Sequence, residues 1–188
     1  MIGHAVDGAA GHAPEQPEDG GAAAPPDRPA MTVVGITGHQ NIPATAIAFV
    51  RSRIRAVLEA QEPPPAGVGS LAVGADQLFA TIIGELGAPF HAVVPCAGYE
   101  STLSPPDALR YHELLAAAAS TEQLPFPTPS EEAFMAAGIR VVERCSLLIA
   151  VWDGRPAGGL GGTADVVHHA QTLGRPVHVI WPAGVRRG

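Results

Sequence analysis

The sequence predicts an α/β fold, a mainly parallel central sheet with helices on both faces. Three observations predict it. Short apolar runs alternate along the chain with longer stretches of helical period. The clearest of these runs, LLIAVW at 147–152, is apolar throughout, as a strand covered on both faces requires. Three strand ends carry glycine turns that feed helices: GITGH (35–39), VGAD (73–76) and WDGRPAGGLGGT (152–163). Crossovers of this strand–helix–strand kind join parallel neighbours.

The chain has 188 residues and is 46% apolar, enough for one domain with a sizeable core over residues 31–188. Residues 1–30 are rich in Ala, Gly, Pro and acids and show no apolar period, so a disordered tail is expected there. Formal net charge is −7, of which −4 falls in that tail. This balance leads to the expectation that no nucleic acid is bound directly. All basic residues are Arg, so chemistry that needs a lysine amine is excluded. No run approaches the ~20 apolar residues that span a bilayer, and the start lacks a signal-peptide pattern. A cytoplasmic protein without a membrane partner is expected, with Cys96 and Cys145 as buried thiols.

In order, Met31–Gln40 reads as the first strand. Pro43 opens a helix towards Glu59 with Ile47, Val50, Ile54, Val57 and Leu58 on its inner face. The stretch 62–69 reads as a loop and Ser70–Val73 as the second strand. A helix from Gly74-Ala75-Asp76 carries Leu78, Phe79, Ile82 and Ile83 until Gly87 stops it. Phe90–Val94 is a third strand. A loop over 98–107 leads into a helix through Tyr111, and Glu122–Leu124 gives a short fourth strand. Ser130, followed by Glu131 and Glu132, starts a helix to about Arg144. Leu147–Trp152 is the strand that leads into the Gly-rich loop. Thr163 is expected to cap the next helix, which Gly174 ends before a last strand over Pro176–Trp181.

The functional reading centres on 147–170. A glycine-dense turn that enters a helix exposes unpaired N–H groups at the positive end of the helix dipole, which suits a phosphate. The expected cradle is Gly158, Gly159, Gly161, Gly162 and Thr163. Gly38 and His39 at one strand end, with Gly74 and Asp76 at another, would line a sugar or second phosphate. His39 reads either as a donor to the ligand or as a partner of its own turn. Asp76 reads as a first-turn acid or as the acceptor of a ribose hydroxyl. Trp152 is a base-stacking surface or core, and Asp153 is a strand-end acid of the kind that serves sites in α/β folds. Asp165 either complements the helix dipole or acts as a carboxylate in catalysis. His168 and His169 are adjacent on a helix and cannot form an i, i+4 metal pair, and no metal or cofactor is expected. GGLGGT is not the GxGxxG of a dinucleotide-binding turn, which argues against hydride transfer.

GITGHQ (35–40), SLAVGADQLFA (70–80) and the stretch 137–180 together resemble the SLOG superfamily, the group that contains the cytokinin-activating LOG proteins and DprA. The resemblance covers about residues 32–182. It implies a Rossmann-like three-layer fold, a nucleotide or ADP-ribose-like ligand at the strand C-termini, a ligand-sensor role and a homodimer. The LOG branch implies an alternative, N-glycosidic cleavage of nucleoside 5'-monophosphates, for which Asp165 and Asp153 would be the catalytic carboxylates. Against that branch's PGGxGTxxE signature, Val166 stands at the acidic position and Ala137 near its helical arginine, with Arg140 about one turn away.

Overall fold

The computed structural model describes residues 31–156 and 161–186. The expected tail over 1–30 lies outside them, as do Gly158 and Gly159. The elements are β1 (Val33–Gly38), α1 (Ala44–Glu59), β2 (Ala66–Gly69), α2 (Ala75–Glu85), β3 (Phe90–Val94), α3 (Pro105–Ala116), β4 (Ser120–Gln123), α4 (Glu131–Arg144), β5 (Leu147–Val151), α5 (Thr163–Thr172) and β6 (Val177–Ile180). The strands form one sheet in the order β4-β3-β2-β1-β5-β6, and every pair is parallel. From β1 the chain steps outward through β2, β3 and β4, then returns through α4 to the other side of β1. The strand order therefore reverses between β1 and β5, which pair from Val34↔Leu147 to Gly38↔Val151.

Helices cover both faces of the sheet. One buried cluster includes Val50 and Ile54 of α1 with Phe79, Ile82 and Ile83 of α2. The other includes Val141 and Val142 of α4, Leu148 of β5, and Val166 and Ala170 of α5. Phe79, Ile82, Ile83 and Leu148 are wholly buried, and each such side chain contributes about 1.5–3 kcal/mol by leaving water. Ser130 accepts a hydrogen bond from the Ala133 N–H at 3.1 Å and so fixes the start of α4.

Three local expectations are corrected. The second strand is Ala66–Gly69, earlier than Ser70–Val73. Gly67 and Gly69 have no side chains to give a strand its apolar pattern, yet all four of its residues are buried. Ile47 is 43% exposed, and Ala46 takes the inner face of α1 in its place. Thr163 is the first helical residue of α5 and not its cap, because Gly162 occupies the cap position with an extended backbone.

Helices α4 and α5 meet closely at Gly138, where a Cβ would lie 2.5 Å from Cγ2 of Val166. Gly138→Ala is therefore expected to cost about 1–3 kcal/mol by overpacking. Val166→Ala should recover part of that loss in the double variant, a non-additivity that urea unfolding of the four proteins would measure.

Candidate ligand-binding cleft

In open parallel sheets, ligands sit beyond the strand C-termini where strand order reverses. A cleft of about 690 Å³ opens there. The three glycine-bearing strand ends lie on the neighbours β2, β1 and β5, on one rim of the sheet. Of the candidate site residues, Gly38, His39, Asp76, Trp152, Gly161, Gly162 and Thr163 line this cleft. Gly74, Asp153 and Asp165 stand behind its wall and act through their neighbours.

His39 sits one residue past β1, where its N–H continues the ladder to the Val151 carbonyl at 3.0 Å. Its Nε2 lies 3.0 Å from Oδ1 of Asp153 and 3.2 Å from the Asp153 backbone N–H. The imidazole also meets Trp181 edge-to-face, with centroids 5.1 Å apart. Asp153 further accepts the Arg155 N–H at 3.1 Å, and the Trp152 indole N–H donates to the Arg155 carbonyl at 2.8 Å. The first residues of the β5–α5 connection are thus tied down by side chains at the end of β5. Arg155 lines the cleft, and its Nε lies 3.9 Å from Oδ2 of Asp153.

The wall between β2 and α2 is built differently. Leu71 is fully buried with φ +59°, a left-handed backbone that is costly for a leucine. Asp76 holds this turn. Its Oδ2 accepts from the Ser70 N–H at 3.0 Å and the Ser70 hydroxyl at 2.8 Å, and the Ala72 N–H also donates to the carboxylate. The donors flank Leu71 on both sides. Gly74 has φ +83°, and a Cβ there would lie 2.2 Å from the Gln40 carbonyl oxygen. The turn is thereby pressed against the end of β1. Asp76 thus carries a structural load where a ribose contact was one expectation. Burial pushes its carboxyl up to about 6, against the lowering effect of the Ser70 and Ala72 hydrogen bonds.

At the α5 end, the amides of Thr163 and Ala164 have no acceptor inside the helix, and both residues line the cleft. The Gly161 N–H, expected in the phosphate cradle, is instead donated to Oδ2 of Asp165 at 3.0 Å. That bond assigns Asp165 to holding the loop. Arg140, the arginine nearest the position implied by the LOG branch, pairs with Glu122 and Glu143 at 3.6 Å each and is absent from the cleft lining.

Several lining residues were not among the expected site residues. Tyr99 and Phe134 pack edge-to-face at 6.0 Å and form an aromatic wall. Ser70, Asp107 and Glu131 add polar and acidic lining. Their common signal was position, since each lies at or just beyond the C-terminal end of a strand or at the start of a helix facing that rim. Only the strand order shows that these ends share one cleft.

No protein-family model matches the chain, and no curated protein matches it. Solved structures do. DNA processing protein A (DprA) from Streptococcus pneumoniae superposes with a TM-score of 0.63 at 18% identity, over 82% of this chain and 52% of that one. DNA processing protein A from Helicobacter pylori, described for its single-stranded DNA binding mode, gives 0.60 at 16% identity, over 83% and 68%. The molybdenum cofactor binding protein from the phototrophic bacterium Rippkaea orientalis gives 0.53 at 14% identity, over 81% and 77%. The fold is a Rossmann-like α/β fold of the kind these DprA structures share. The chain spans about half the length of the S. pneumoniae protein.

These likenesses overturn the expectation of no nucleic-acid partner, because a protein with this fold binds single-stranded DNA. That expectation rested on net charge, which weighs phosphate neutralisation alone. Single strands are also held by stacking on aromatic side chains, to which net charge is blind. Among the described residues, no helix is long and apolar enough to cross a membrane.

The raised Asp76 carboxyl sets a pH signature. A folded-state value above the ordinary one means that its stabilising contribution is complete below about pH 4 and is lost as pH rises through about 6. Thermal melts of Asp76→Asn and the parent from pH 4 to 7 are expected to show the difference in Tm moving in favour of the variant with rising pH.

Proposed function

We propose that the SLOG-like domain binds a nucleotide-type ligand in the cleft at the β1/β5 switch point and serves as a sensor module. The observation that carries this reading is that His39 and the first-turn residues Thr163 and Ala164 of α5 line one cleft. Unpaired N–H groups at a helix N-terminus favour an anionic oxygen through both hydrogen bonding and the helix dipole. Thr163 and Ala164 would receive a phosphate, with the Thr163 hydroxyl as a further donor. Trp152, Tyr99 and Phe134 offer aromatic surface for a base, and Ser70 and Asp107 offer polar partners for hydroxyl or amino groups.

The same reading covers a free nucleotide and a nucleotide unit of a single strand. Proteins of related fold, one described for its single-stranded DNA binding mode and one as a molybdenum cofactor binding protein, support a ligand-binding role. No observation favours N-glycosidic cleavage, because Asp165 is engaged by the Gly161 amide and Arg140 is engaged on the surface.

The test is a thermal-shift and calorimetric screen of the full chain against AMP, ATP, NAD, ADP-ribose and a short single-stranded oligonucleotide. Each mixture is then chromatographed for free base. A shift with the ligand recovered intact is expected, and released base would turn the assignment to hydrolysis. Thr163→Pro probes the seat directly. Proline is well accepted at the first helical position, and Gly162, with φ −71° and ψ 168°, already has the extended backbone that a following proline requires. The variant removes one N–H and one hydroxyl from the seat. It is expected to keep the parent Tm within a few degrees and to weaken phosphate-bearing ligands about tenfold. Unchanged affinity would remove α5 from the binding site.

A further inference from the structure

We propose that an anionic nucleotide bound in this cleft takes up a proton on His39, whose imidazolium is held by Asp153 on one side and donates Nδ1–H to the ligand on the other. The inference rests on the nucleotide reading above and specifies how that site is regulated.

The geometry that points to it is local. His39 Nε2 faces both a carboxylate oxygen, at 3.0 Å, and a backbone N–H, at 3.2 Å, of the same residue, Asp153. With Nε2 unprotonated, it accepts the Asp153 N–H but confronts Oδ1 as two acceptors. With Nε2 protonated, it donates to Oδ1 and gives up the hydrogen bond from the Asp153 N–H. The second arrangement is the one an imidazolium needs, and Asp153 is poised to stabilise it. Nδ1 makes no hydrogen bond to a described residue and is not sealed from solvent. His39 belongs to the cleft lining, and the proposed proton on this nitrogen is offered to what enters the cleft.

The surrounding charges supply the reason for proton uptake. The charged groups around the cleft are Asp76 on α2, Asp107 on α3, Glu131 on α4, and Asp153 and Arg155 at the end of β5, while Trp181 beyond β6 adds an uncharged ring. Among the described residues, Arg155 is the permanent cation in the lining. An anion entering so acidic a cleft gains most from a group that becomes positive on its arrival. His39 is the side chain in the lining that can do so, with the proton supplied by the buffer.

The experiment is titration calorimetry of the full chain with ADP-ribose at pH 7.2 in PIPES, HEPES and Tris. The two phosphates of ADP-ribose are both esterified and do not titrate in this range. The apparent enthalpy is expected to vary linearly with the ionisation enthalpy of the buffer, with a slope of about half to one proton taken up. Affinity should fall about three- to tenfold between pH 6 and pH 8. In His39→Gln the slope should vanish and binding weaken, and in Asp153→Asn the slope should shrink. AMP, with its own phosphate titration measured in free solution and subtracted, is the second probe. Binding with zero slope overturns the proposal and leaves the nucleotide reading standing. A slope retained in His39→Gln overturns it by placing the proton on another group. Absence of binding by both probes overturns the nucleotide reading itself, and this inference with it.

Discussion

Five consecutive residues of β1 pair in parallel with five of β5, although more than a hundred residues separate them in the chain. That pairing places two strand ends side by side whose following helices leave towards opposite faces of the sheet. The cleft opens beyond these strand ends, lined by the turn after β1, the β2–α2 turn and the first turns of α4 and α5. His39 meets Asp153 because Gly38 is in register with Val151. Without this register, the imidazole, the carboxylate and the α5 amides would be unrelated in space.

The cleft is kept in shape by polar bonds that sit just behind its surface. Asp76 ties down the strained turn around Leu71, Asp153 orders the start of the β5–α5 connection, and Asp165 engages the Gly161 amide. Each carboxylate accepts backbone N–H groups of the turn it adjoins. For Asp76 this service carries its own penalty, visible as a carboxyl raised by burial. The three acids thus act mainly as supports for the backbone, and the surface they support presents amides, hydroxyls and aromatic rings to a ligand.

Such a surface differs from an anion site built on lysines. The chain has no lysine, and the described lining of the cleft carries more carboxylates than guanidinium groups. Attraction for the proposed phosphate-bearing ligand would then come from oriented backbone dipoles, which are short-ranged and add nothing to net charge. The electrostatics of this protein is therefore invisible to its overall charge of −7, and an argument from that charge about nucleic acid failed for this reason.

Much of the fold was legible in the sequence. The apolar run 147–152, the helical period of α1 and α2, and the Ser130 cap with its two following acids are local signals, set by burial and by backbone hydrogen bonding within a few residues. The glycine clusters likewise marked their own strand ends. What was not legible depended on neighbours distant in the chain. β2 was displaced by a few residues because two glycines erase its side-chain pattern, and its burial becomes evident only between β1 and β3. Asp76 and Asp165 showed their chemical type but not their partners, which are backbone amides presented by folded turns. Tyr99 and Phe134 meet only because α4 packs back across the sheet. The sequence by itself determined the alternation of strands and helices and the glycine-rich entrance to α5, since both are local. The tertiary structure alone decided strand order, and with it which carboxylates hold the wall and which groups face the ligand, since only long-range pairing sets those distances.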